Sequence, residues 1–298
     1  MRAQLVGLSL AFLVAGGIAD APMSRGTPQP QDQNAQSTHQ PDLSSVYCSG
    51  KVTDDKVPTD AYIISGEESN AKTEFHQGDY VFINKGSNQG VREGDQFSVI
   101  RAEKDPLSVV WFKWQKKLLG AMGTLYSDVG RVRVTTVQPN VSIAKVAFSC
   151  VPMLRADIVR PYEDRPAPPY KDSTKQDYFA PVSGKPVAMI VTMRDFFQEA
   201  GAGSTVYVNL GTAQGVKVGD YFRVFRYQGS RNDTLVEPES FQYKLYGFGS
   251  TPVRYTWKDL PRQILGEGVV INVSRNSSTV LLTNSRIEIF AGDYVEIE

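Results

Sequence analysis

The side chains best suited to chemistry in this chain are acids set at repeated places. Asp95 follows Gly94, Asp220 follows Gly219, Asp293 follows Gly292, and Asp157 follows Ala156. Two carboxylates held a few ångströms apart can act as acid and base in hydrolysis. The same pattern has a plainer meaning. Each acid stands where a strand-like run begins, such as Gln96-Phe97-Ser98-Val99 or Tyr294-Val295. Asp oxygens at such places commonly accept backbone N–H bonds in turns. An acid recurring at every strand start is read as turn chemistry, so Gly94, Asp95, Gly219, Asp220, Gly292 and Asp293 are assigned structural roles.

Other chemistries find less support. The histidines are His39 and His76. His39 lies in a polar tract, and His76 has no second His or Cys near it, so no metal site is expected. A Cys–His nucleophile would need Cys48 or Cys150 beside His76. Neither a Gly-x-Ser-x-Gly elbow nor a phosphate-cradling Gly-rich loop before a helix occurs, and no cofactor is expected. Lys plus Arg and Asp plus Glu are balanced at 32 each, which argues against a nucleic-acid partner. The chain is therefore read as non-catalytic.

Aromatic side chains supply the candidates for binding. Phe241, Tyr243, Tyr246, Phe248, Tyr255 and Trp257 crowd into the stretch 227–263 among Arg254 and Lys258. Such faces stack on sugar rings or grip a partner's side chains; the plainer alternative is a lid on the module's own barrel. Trp111 and Trp114 occur in an earlier stretch, WFKWQKKLL. There Trp111, Trp114, Leu118 and Ala121 fall at helical spacing. Core packing is the commoner meaning of such a stripe, as a short amphipathic helix over a barrel mouth. The sharper meaning is an aromatic and basic patch for a ligand or a membrane surface.

These stretches are inserted into a repeat. Gly78 to Arg101 reads GDYVFINKGSNQGVREGDQFSVIR, and Gly203 to Arg226 reads GSTVYVNLGTAQGVKVGDYFRVFR. Gly78, Asn84, Gly86, Gln89, Gly90, Val91, Gly94, Asp95, Val99 and Arg101 recur at one constant offset without a gap, as does Phe97. The chain therefore contains a duplication. Each copy reads as a strand, two turns and a second strand, with Phe97 and Val99, or Phe222 and Val224, facing one way. Further strands are expected at 62–66, 129–137, 143–148, 187–191, 268–273, 279–283 and 294–297. The fold expected is mainly β: two tandem small β-barrel modules related by internal duplication, with a short helical insertion.

The spacing Asn-x-Gly-x-x-x-Gly-Val-x-x-Gly-Asp-x-Phe-x-Val resembles the small C-terminal β-barrel of the flagellar assembly protein T family. The whole arrangement also resembles uncharacterised exported acidobacterial proteins. The resemblance implies a barrel fold and a place in a bacterial envelope, in some cases beside peptidoglycan-binding or lipoprotein domains. It implies no catalytic residue.

The length of 298 residues suits two domains. Residues 1–21 read as a signal peptide, with Arg2 before an apolar run. Residues 22–45 are a polar spacer expected to be disordered. The first barrel module is placed at 46–163, a proline-rich linker at 164–186 and the second barrel module at 187–298. Cys48 and Cys150 bracket the first module, and after export a disulfide between them is expected. No transmembrane segment is expected in the mature chain. The function expected is binding or assembly in the periplasm or cell envelope, with another envelope protein or peptidoglycan as partner. The alternative is a carbohydrate-active hydrolase with its site under the second insertion.

Overall fold

The computed structural model describes residues 40–105, 108–171, 177–228 and 260–298. The stretch expected to be a signal peptide, most of the expected spacer, and Phe241, Tyr243, Tyr246, Phe248, Tyr255 and Trp257 lie outside the described residues. Residues 40–45, which the expected boundary at 46 assigned to the spacer, are part of the described structure. Pro41 is buried, and a short helix α1 runs Leu43–Tyr47 with Val46 inside.

The first module contains β1 (Lys51–Thr53), β2 (Ile63–Gly66), β3 (Tyr80–Ile83), β4 (Gln96–Ala102), helix α2 (Gln115–Met122), β5 (Thr124–Val137), β6 (Ser142–Ser149) and β7 (Ile158–Pro161). The second contains β8 (Val187–Met193), β9 (Glu199–Ala200), β10 (Thr205–Val208), β11 (Tyr221–Arg226), β12 (Gln263–Val273), β13 (Ser278–Ser285), β14 (Ile289–Phe290) and β15 (Tyr294–Ile297). The strands of the second module form a closed barrel in the order β10-β13-β12-β11-β15-β8. The first module has the equivalent order β2-β3-β6-β5-β4-β7, with β1 added along β5. The duplication thus extends from residue types to strand topology.

Closure differs between the copies. In the second, β15 and β8 pair from Tyr294↔Met189 to Glu296↔Val187. In the first, the corresponding edges share one bridge, Tyr62↔Ile158, with backbone bonds between Ile63 and Asp157, Ala156 and Ile63, and Val159 and Ala61 around it, so the sheet is curled with a shorter closure. Alternate residues fill both interiors, as strand geometry requires. Val81, Ile83, Val99, Val132, Val134, Ala144 and Val146 are buried in one, and Val206, Val208, Phe222, Val224, Val270, Val280 and Leu282 in the other.

The modules are joined by more than the linker. The Cys48–Cys150 disulfide is present and pins the segment leading into β1. That segment lies against both copies. The Tyr207 hydroxyl donates to the Ser49 carbonyl at 2.7 Å, and the Ser277 hydroxyl to the Val52 carbonyl at 2.5 Å. Val52, Met122, Leu125, Val191 and Tyr207 form a buried cluster drawn from both modules. The proline-rich stretch is tied down as well. Arg165 makes a bidentate pair with Asp128 at 2.7 and 2.8 Å, and Lys171 pairs with Glu267 and Glu298.

Candidate functional site

The repeated residues are engaged in their own turns. The carboxylates of Asp95, Asp220 and Asp293 accept the amides of Arg92, Lys217 and Phe290 at 2.8, 2.8 and 2.7 Å. Asp79 and Asp157 do the same with His76 and Leu154, each at 2.7 Å. Ser204 stands where Asp79 does and accepts the Gly201 amide at 3.3 Å. The preceding residue in each turn has a positive φ: 89° at Gly94, 94° at Gly219 and 104° at Gly292. Glycine adopts that backbone without strain, whereas Ala156 holds 69° with a Cβ. Gly86 and Gly211 are fixed by contact instead. A Cβ there would stand 2.1 Å from the Gln138 carbonyl oxygen, or 2.3 Å from that of Ser274.

The repeat also builds a matched pair of buried ion pairs. Arg101 grips Asp157 with Nε and Nη2 at 2.7 and 2.8 Å, and Arg226 grips Asp293 at 2.7 Å through both. Burial pushes the Asp293 carboxyl above its ordinary value, while Arg226 and the Phe290 amide pull it back towards the charged form. In the first module the Asp157 carboxylate holds the Arg101 guanidinium above its ordinary value, against the effect of burial. Asp79 is held low by the His76 amide and then by Lys72. The Arg–Asp pairing was visible in the sequence only as recurring residue types.

The unrepeated residues behave differently. The first-module insertion does not cover its own barrel: it docks on the second. Phe112 is 1% exposed inside the second module's core cluster, with Trp111 and Leu118 packed beside it. Of the expected stripe, Trp111 and Leu118 pack against the core whereas Trp114 and Ala121 do not; the fully buried positions are Phe112, Gln115 and Met122. Trp114 stands one residue before α2 at φ 79°, which prevents the helix from continuing back through it, and Ala121 is exposed. Gln115 locks the docked segment, accepting the Trp111 amide and donating to the Val191 carbonyl, each at 2.8 Å.

The two tryptophans are therefore parted. Trp111 lines a cleft of about 360 Å³ with Gln115, Thr192 and Phe196. Trp114 lines another, of about 600 Å³, with Phe112, Lys113, Lys117, Leu118, Met189 and Tyr294. Trp114 is 61% exposed. The Lys113 and Lys117 ammoniums lie 5.0 and 5.8 Å from its ring centroid. Tyr294 stacks on Phe225 at 5.7 Å and meets Tyr227 edge-on at 5.0 Å, so an aromatic cluster backs this cleft. Met189 and Tyr294 come from β8 and β15, far from Trp114 in the chain. No local sequence signal places them together.

A further cleft of about 310 Å³ lies on the first module between Tyr47, Arg131 and Tyr162. Burial pushes the Tyr47 hydroxyl up to about 12, opposed by the Arg165 amide and reinforced by Asp164 and Tyr162. Its acids are already engaged: Asp164 accepts the Tyr47 hydroxyl at 2.5 Å, and Asp128 holds Arg165. Among the described residues no group of three or more His, Cys, Asp or Glu side chains is placed to hold a metal ion, and no helix is long and apolar enough to cross a membrane. No protein-family model matches the chain, and no curated protein matches it.

Proposed function

We propose that this is an exported cell-envelope protein that acts by binding or assembly rather than catalysis, with peptidoglycan or another envelope protein as its partner. The duplicated modules provide a rigid frame, and the inserted stretches provide the contact surface. One observation carries this reading. Trp114 is held 61% exposed in a left-handed backbone at the mouth of a 600 Å³ cleft. A bulky side chain in that conformation costs on the order of 1–3 kcal/mol, and such strain clusters at functional positions. The repeated acids, by contrast, are each engaged in their own turn. The disulfide supports export, since such bonds persist in oxidising compartments.

The test is co-sedimentation of the full chain with purified sacculi, alongside retention of envelope proteins on the immobilised chain. The expected result is retention of one partner class, reduced when Lys113 and Lys117 are both changed to Glu. Retention of neither class would refute the reading.

A further inference from the structure

Resting on that reading, we infer that the Trp114 cleft is a subsite for an acidic saccharide: a sugar ring stacked on the indole, with its carboxylate between the Lys113 and Lys117 ammoniums. Three features of the cleft point the same way. The indole is 61% exposed, and beside it Leu118 and Met189 line the cleft with apolar surface suited to the C–H face of a pyranose. Among the described residues neither lysine meets a carboxylate, and both ammoniums stand within 6 Å of the ring centroid, at 5.0 and 5.8 Å. Among the described residues no acidic side chain lines the cleft. A volume of about 600 Å³ lies within the usual size of small-ligand sites, about 300–1,000 Å³.

The arrangement discriminates between ligands. A bare anion is repelled by the negative face of an aromatic ring, so phosphate or acetate gains only from the lysines. A neutral oligosaccharide gains only from stacking. A saccharide carrying a carboxylate gains from both at once. That chemistry has two sources in a bacterial envelope, a muropeptide or a uronate polymer.

Titration calorimetry on the full chain separates these cases. The probes are a disaccharide-tetrapeptide muropeptide, a trigalacturonate, chitotriose, an oligothymidylate and anionic phosphatidylglycerol vesicles. At least one acidic saccharide should bind tenfold or more tighter than chitotriose, and should weaken as salt screens the lysines. Whichever of the muropeptide and the trigalacturonate binds tighter names the source. Trp114→Gly should weaken that binding at least tenfold. Glycine accepts the backbone at φ 79°, so this variant keeps its fold. Lys113→Glu with Lys117→Glu should weaken binding to a similar extent. Equal binding of chitotriose overturns the inference, as does tighter binding of the oligonucleotide or the vesicles, binding indifferent to Trp114→Gly, or no saccharide binding at all. If saccharides fail while an envelope protein is still retained, this subsite falls and the proposed binding function stands. If both fail, both fall.

Discussion

The two modules share a strand order and a set of turns, yet they close to different extents. The second closes as a continuous ladder between β8 and β15, and an ion network of Arg223, Arg262, Glu296 and Glu298 ties β15 to β11 and to the start of β12. Burial disfavours the charge on Glu296, but Arg262, the Ser183 amide and Arg223 outweigh it and hold the carboxyl below its ordinary value. The first module meets itself at one bridge and a few flanking backbone hydrogen bonds, and its disulfide lies elsewhere, tying the segment before β1 to the end of β6. The comparison teaches that a duplicated fold keeps its turns while its closure is free to diverge. Only the first module carries a covalent link, Cys48–Cys150, as well.

Removing that link should give the largest effect. The cysteines are 102 residues apart, and on the chain-entropy model a loop of that size contributes about 4–5 kcal/mol. Cys48→Ser with Cys150→Ser, or reduction of the wild type, should lower the melting temperature and expose first-module amides to exchange before those of β11–β15. Simultaneous loss of protection in both modules would erase the distinction. Next are Arg101→Ala and Arg226→Ala, each of which strands a buried carboxylate at about 3–5 kcal/mol. Chemical denaturation should return matching losses; a large difference between them would mean that the repeats are not equivalent at their ion pairs.

Phe112→Ala should cost about 3 kcal/mol, and the sharper readout is where. Amide exchange should quicken in β10, β12 and β13 of the second module, although the substitution lies in the first. A smaller effect is expected in alkali. Burial raises both Tyr47, to about 12, and Tyr207. A phenol whose folded value is raised gives stability that is complete below the unfolded value, about 10. That stability is lost as pH climbs through the folded one. Denaturation midpoints should therefore fall above pH 10, and Tyr207→Phe should flatten the decline. An alkaline limb unchanged by Tyr207→Phe would show that this hydroxyl does not govern the module junction.

Much of this frame is legible in the residues themselves. Gly94-Asp95 and Gly219-Asp220 mark turns because a positive φ and a nearby side-chain acceptor are local needs, met by local residue types. The strands around Val99 and Val224 follow from alternation, and the Cys48–Cys150 bond from the scarcity of cysteine. The rest depended on partners distant in the chain. Closure at Tyr62 and Ile158 is a long-range pairing without a local mark. The helical stripe holds only at Trp111 and Leu118, because the left-handed backbone at Trp114 ends helical geometry there and leaves Phe112 and Met122 as the buried anchors. Arg101 and Asp157 recur as Arg226 and Asp293 at different offsets, since the second insertion is longer, and that obscured their pairing.

The central claim is that the shared residues hold the fold and the unshared ones make contact. It is tested most directly by measuring melting temperature and retention of envelope material together on two full-length variants. Asp95→Ala with Asp220→Ala removes a turn acceptor from each module, at about 1 kcal/mol apiece. It should melt lower and retain the same material as the wild type. Lys113→Glu with Lys117→Glu should melt like the wild type and retain less. The reverse result, with retention lost on changing the turn acids at an unchanged melting temperature, would contradict the account.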